Sequence, residues 1–109
     1  MSFDPYLFTN VQAVHDAGGV EAFIDRLWRQ VAEILGDRVA REGDRAENMM
    51  AMEDAIQEAI ERSLLPDVSR DLQAASAAEE DAVRERYDRI AGSLMSRMLR
   101  EGPRFPGSD

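Results

Sequence analysis

Cysteine is absent from the 109 residues and so is lysine, while histidine and tryptophan occur once each. Without cysteine there are no disulfide staples, no thiolate metal ligands and no cysteine nucleophile, so stability has to come from packing. A single histidine, His15, excludes catalytic dyads or metal triads built from several imidazoles within one subunit. With no lysine, a phosphate loop of the G-x-x-x-x-G-K-[ST] kind cannot be formed. All 13 basic residues are therefore arginine, a bias that GC-rich codons explain as readily as guanidinium chemistry does. No run approaches the roughly 18 apolar residues of a membrane span. The opening MSFDPYLFTN has neither a basic start nor a signal-like apolar stretch, so a cytoplasmic location with no membrane partner is expected.

What is present describes a folding chain. Hydrophobic residues make up 44% and charged residues 32%, too apolar for a disordered tail and too charged for a membrane protein. A chain of this length buries roughly 65% of the surface it exposes when unfolded, enough for one core and not two. One helical domain over residues 1–101 is expected, with a flexible tail over 102–109. Acidic residues number 22 and the net charge is -9, which repels nucleic acid and anionic membranes at long range.

Periodicity points to helices throughout. Asp4-Pro5 is a helix start, with Leu7, Val11 and Val14 on one face and Gly18-Gly19 as the stop. From Val20 to Leu35, the residues Val20, Phe23, Ile24, Leu27, Trp28, Val31, Ile34 and Leu35 fall in one arc about 140° wide, which must be buried. Gly36-Asp37 and Gly43-Asp44 are candidate breaks, with the turn expected near Gly43. A third helix over residues 45–65 sets Met49, Met52, Ile56, Ile60 and Leu64 along a stripe, with Ala59 and Ser63 completing it. Pro66 is expected to stop this helix and Asp67 to cap the next. The last helix is expected to run from Val68 to Leu99 or Arg100, roughly 48 to 50 Å if unbroken. Its first half is alanine-rich, and its second half carries the seam Val83, Tyr87, Ile90, Leu94, Met98. Gly102-Pro103 ends it.

Each candidate site has an ordinary explanation beside it. His15 as a general base has only Asp16 adjacent, and neighbouring helical residues point about 100° apart, so a helix C-terminal histidine is the simpler reading. A di-iron carboxylate bundle needs Glu-x-x-His, and the position three before His15 is Gln12. Glu53, at the edge of the third helix's stripe, is the one carboxylate near an apolar face; carboxylate-only binding of a hard cation is the surviving metal reading. Ser63, Ser69, Ser76, Ser93, Ser96 and Thr9 have no histidine on their own helix and no G-x-S-x-G elbow. Met49, Met52 and Met98 fit core stripes, whereas Met50 and Met95 fall off them, as core filler, subunit contact or the lining of a peptide groove. Arg86, Arg89, Arg97 and Arg100 project within an arc of about 80°, with Arg104 just beyond. Such a stripe grips carboxylate or phosphate groups through bidentate forks, or simply solvates a helix beside Glu85, Asp88 and Glu101.

The expected fold class is all-α: three to four helices in an up-down bundle or long helical hairpin, completed by self-association. The expected function is a non-enzymatic oligomeric adaptor or regulatory subunit, with no cofactor and no catalytic or metal-binding residue. It would bind a protein partner through Arg86, Arg89, Arg97 and Arg100 and the seam Tyr87, Ile90, Leu94 and Met98. Two alternatives stand beside it. One is a subunit of a helical enzyme assembly with a carboxylate metal site between chains. The other is a nucleic-acid-engaging adaptor: the chain is similar in size and helix content, though in no particular residue, to phage-type DNA-packaging small subunits, and its acidity argues against this.

Overall fold

The computed structural model describes residues 8–36 and 45–102, with side chains from 50 onward in the second stretch. Four helices follow in order: α1 (Gln12–Ala17), α2 (Val20–Leu35), α3 (Arg45–Ala74) and α4 (Glu80–Glu101), and no strand occurs among the described residues. Helix α3 packs against both α2 and α4, and α1 sits on α2 and α3. The molecule is 49 Å along its longest axis, close to the about 45 Å that the 30 residues of α3 span at 1.5 Å each.

Helix α2 forms as its period predicts. Phe23, Ile24, Leu27, Trp28, Val31 and Leu35 are buried, and only Val20 and Ile34, near the two ends of the helix, are partly covered. Gly18 ends α1 in the left-handed region at φ 102°. Its N–H donates to the His15 carbonyl and the Gly19 N–H donates to the Val14 carbonyl, the paired bonds of a Schellman stop. Helix α2 ends at Gly36, also at positive φ; the expected turn at Gly43 lies outside the described residues.

Three boundaries differ from expectation. The Asp4-Pro5 start and Leu7 lie outside the described residues, but α1 itself begins only at Gln12, after a turn at Thr9 and Asn10. Side chains of these two types hydrogen-bond their own backbone and favour turns over helix. Val11, at the N-cap, is extended and offers no side-chain acceptor. The cap comes instead from 55 residues away: the Asp67 carboxylate accepts the Gln12 N–H at 3.0 Å and the Ala13 N–H at 3.1 Å.

The second difference explains itself through the first. Pro66 does not stop α3, which continues to Ala74, and Asp67 does not cap a following helix. Proline in a helix interior removes one bond and costs about 3 kcal/mol. Pro66 is exposed, where a displaced carbonyl turns to water, and the next residue is held by three charge-assisted contacts, the third being Arg70 at 3.0 Å. Asp67 is 3% exposed, so those contacts also offset the desolvation of its charge.

The third difference is the end of α3. The expected single helix from Val68 to Arg100 is broken at residues 75–79, and α4 folds back along α3. The stretch reads Ser76-Ala77-Ala78-Glu79, the S-x-x-E pattern of a capping box; the Ser76 hydroxyl bonds Glu79 at 2.7 Å, and the Ser76 carbonyl accepts the N–H groups of Glu79 and Glu80. Alanine favours helix by at most about 0.7 kcal/mol each, so Ala75, Ala77 and Ala78 resist the break by about 2 kcal/mol. Folding back buries Ile90, Leu94 and Met98 essentially completely, a gain of roughly 5 to 9 kcal/mol at about 1.5 to 3 per side chain. Packing decides the outcome.

The cap sets the first testable expectation. Replacing Asp67 with Ala removes the only side-chain cap on α1 among the described residues, and is expected to lower unfolding free energy by roughly 1 to 3 kcal/mol in urea melts. Asp67→Asn, which keeps one acceptor, should cost less; a melt unchanged by Asp67→Ala would show that the carboxylate does not anchor α1.

Candidate functional site

The residues assigned to partner binding from sequence separate into two groups. Tyr87, Ile90, Leu94 and Met98 are all buried within this chain, at 5% exposure or less, so the seam is consumed by the hairpin. The arginine stripe divides among local carboxylates. Arg97 bonds Glu21 in the first turn of α2 and, at 2.8 Å, Glu101; Arg89 pairs with Glu85 at 3.2 Å. Arg86 lies over the Tyr87 ring, 5.4 Å from its centroid, and 3.8 Å from Asp71. Arg100 is exposed, with no ion pair among the described residues, and Arg104 lies outside them. Three of the four cations of the 80° arc are thus paired: Glu85 and Glu101 stand four residues from Arg89 and Arg97, as helical periodicity provides, whereas Asp71 and Glu21 come from other helices, Glu21 being 76 residues from Arg97.

A polar cluster joins the two arms of the hairpin. The Tyr87 hydroxyl donates to Asp71, and Asp71 also accepts from Arg70 Nε at 3.2 Å, while Arg70 reaches Asp67. Burial, together with the hydrogen bond to Asp71, pushes the Tyr87 phenol up to about 12. Partial burial works against the charged form of Asp71, but the bonds from Tyr87 and Arg70 and the charge of Arg86 prevail and hold its carboxyl below the ordinary 3.8. A phenol that keeps its proton far above neutrality is a poor base. This arrangement locks α3 to α4.

The other sequence candidates are structural. His15 Nε2–H donates to the Thr9 carbonyl at 2.7 Å and staples the turn before α1; Asp16 is engaged by Gln12 instead. The Ser63 hydroxyl donates to Gln30 at 3.2 Å. Glu53 is exposed. Among the described residues no three His, Asp or Glu side chains converge on a possible metal position, and no helix is long and apolar enough to cross a membrane.

Open clefts among the described residues include three beside the candidates above. One of about 490 Å³ lies where α1, α2 and α3 meet and contains Arg26, Arg62 and Arg70, but Arg62 is paired with Glu58 and Arg70 with Asp67 and Asp71. A second, of about 510 Å³ between α2 and α3, is lined by Gln30, Glu33, Ile34, Glu58 and Arg62 and is mostly polar. The third, about 240 Å³, runs between α3 and α4 over Ile60, Ala91, Gly92 and Met95, with Gln57, Glu61 and Asp88 along its edges. Of the three, it is the one with an apolar floor and charged edges of one sign.

Gly92 distinguishes this groove. It stands in the interior of a 22-residue helix, where glycine costs about 1 kcal/mol against alanine. It has no left-handed backbone to justify that cost, and a Cβ built there would meet nothing within 4 Å. The chain's own packing therefore does not require the missing side chain; its absence deepens the groove. Met95 accounts for one of the two methionines that fall off the core stripes, because it faces this groove. The other, Met50, is 65% exposed and lies seven residues before Gln57, on the same side of α3. Leu99, 45% exposed, follows Met95 by one turn. The signal available in sequence was the mid-helix glycine beside an off-stripe methionine.

Comparisons with family models, curated proteins and solved structures returned no match.

Two measurements check the cluster and the stripe. In a Tyr6→Phe background, absorbance titration should place the remaining phenol near 12, and Asp71→Asn should bring it down. Because the folded state holds the Tyr87 proton more tightly, that contribution to stability is complete below 10.0 and is lost as pH rises towards 12. Asp71 works in the other sense, its contribution being complete above the unfolded value of 3.8 and lost as pH falls through the lower folded one. Ionisation of Tyr87 at the ordinary value would contradict the lock. For the stripe, Arg97→Gln is expected to lower stability by about 1 kcal/mol more than Arg89→Gln, since Arg97 is largely buried between two carboxylates and Arg89 is 63% exposed. Equal melts for the two variants would count against this division.

Proposed function

We propose that this chain is a non-enzymatic helical adaptor that receives a helix from a protein partner in the groove between α3 and α4. Gly92 carries this reading. A glycine disfavoured in the helix interior, with open space where a side chain would stand, suits a surface that another backbone must approach closely. The floor formed by Ile60, Ala91 and Met95, extended by exposed Met50 and Leu99, suits an amphipathic helix seated by its apolar face. Methionine adapts to varied anchors through its flexible, polarizable thioether.

The partner surface differs from the one read from sequence. Tyr87, Ile90, Leu94 and Met98 are covered within the chain and the long last helix is broken, so this seam is not the surface through which a second copy would be expected to bind. The adaptor reading does not depend on it. Arg100 is the member of the arginine stripe available to a partner, and it projects beside Leu99 near the end of α4.

Methionine methyl groups report directly on the groove. With the methionine methyls carbon-13 labelled, adding a neutral amphipathic helix of leucine, glutamine and alanine should shift the Met95 resonance, and Met50 to a smaller extent. The buried Met98 should stay in place. Met95 left unmoved by every such peptide at millimolar concentration would sink the proposal.

A further inference from the structure

We infer that the helix this groove accepts is cationic, an amphipathic segment with Lys or Arg flanking its apolar stripe, carried by a protein other than a second copy of this chain. This rests on the adaptor reading and names the chemistry of its partner.

The charged residues that line the groove have one sign, Arg100 lying beyond them near the end of α4. Its edges carry Glu61 from α3 and Asp88 from α4. Between Met50 and Glu61, α3 contains Glu53, Asp54, Glu58 and Glu61 and no basic residue. On the facing stretch of α4, from Asp88 to Leu99, the basic residues are Arg89 and Arg97. Arg89 is engaged by Glu85, and Arg97 by Glu21 and Glu101, so neither offsets the groove's acids. Glu61 is exposed and accepts only a side-chain amide, from Gln57; Asp88 is exposed, with no ion pair among the described residues. An apolar helix laid over Met95 would bring its flanks close to both carboxylates. Lysine or arginine there gains two charge-assisted contacts, whereas acidic flanks meet repulsion.

The same charges argue against self-pairing. A second copy also carries net charge -9, so seating one of its helices brings like charge to an acidic rim and opposes association over a Debye length of about 8 Å at physiological salt. A basic partner is drawn in by the same field, which raises its association rate.

The test uses the full chain and three synthetic helical peptides of about 16 residues, near the length at which isolated helices become stable. They share one leucine stripe and differ only in flanks of Lys, Gln or Glu. Affinity measured by calorimetry should fall in that order, with about tenfold or more between Lys and Glu at low salt and a smaller gap as salt rises. Gly92→Leu fills the groove without changing net charge and, with open space at its Cβ, should fold at least as stably as the parent. It should weaken the Lys peptide about tenfold or more through steric exclusion. Glu61→Gln with Asp88→Asn should erase the preference for Lys over Gln while leaving the Gln peptide unaffected. Equal binding of all three peptides, still lost in Gly92→Leu, would overturn the cationic partner and leave the groove standing. Lys-peptide binding indifferent to Gly92→Leu would mean attraction to overall charge, and would overturn the inference at this site. Self-association of the chain that Gly92→Leu abolishes would replace the partner with a second copy. Binding of none of the peptides would remove the inference together with the adaptor reading.

Discussion

The carboxylate of Asp67 is the interaction on which the rest of the structure depends. It is nearly inaccessible to water, and an isolated charge in that position would be strongly unfavourable. Its two oxygens are divided between the first two amides of α1, with Arg70 sharing one of them. Helix α1 has only six residues, too few to be stable alone. It persists because its orphan N–H groups point at this carboxylate and because Phe8, Val11 and Val14 join the core. The same anchor requires α3 to stay helical through Pro66, since only then does Asp67 face α1 while Arg70, one turn on, turns towards Asp71. Asp71 in turn receives Tyr87 from α4. One buried acid thus leads, through Arg70 and Asp71, to the point where the hairpin closes.

Closure of that hairpin decides which surfaces are left. A straight helix from Val68 to Arg100 would have displayed Ile90, Leu94 and Met98 to another molecule. Folded back, they complete the chain's own core beside Ile56 and Ile60, and apolar surface remains on the adjoining flank of α4, at Ala91, Gly92, Met95 and Leu99. The placement of charge follows from the same event. It brings Arg97 to Glu21 and Arg86 to Asp71, and leaves Asp88 and Glu61 facing each other across the groove.

How far the fold could be read from sequence varies with how local its causes are. The buried face of α2 is fully legible, because eight apolar residues in one arc permit a single orientation. The stop at Gly18-Gly19 is legible because glycine alone takes that backbone easily. The end of α3 is not, because both local signals favour the wrong boundary: Pro66 reads as a stop and Ala74 to Ala78 as a continuation. Ser76 and Glu79 do carry a start signal, but choosing it over the alanines requires the several kcal/mol gained where Ile90, Leu94 and Met98 meet α3. Of the candidate site, Met50 and Met95 were legible as methionines without a core position. The arginine stripe misled, because periodicity places Arg86, Arg89, Arg97 and Arg100 together but is blind to Glu21.

These observations share a physical logic that bears on function. Buried groups in this chain are well satisfied: Asp67 has three partners, Tyr87 has Asp71, and Arg97 has two carboxylates. Such thorough pairing makes departures informative, since a chain that satisfies its polar groups elsewhere has no need of a helix-weakening glycine with empty space above it. Gly92 departs from that pattern, and so do the exposed thioether of Met50 and the uncovered edge of Leu99. Gly92 lines the groove between α3 and α4, Leu99 follows Met95 of its lining by one turn and Met50 precedes Gln57 by two, and neither Glu61 nor Asp88 on its edges has an arginine partner among the described residues. On the proposed reading, it is along α3 and α4 that a second molecule would supply apolar cover to Met95 and positive charge to Glu61 and Asp88.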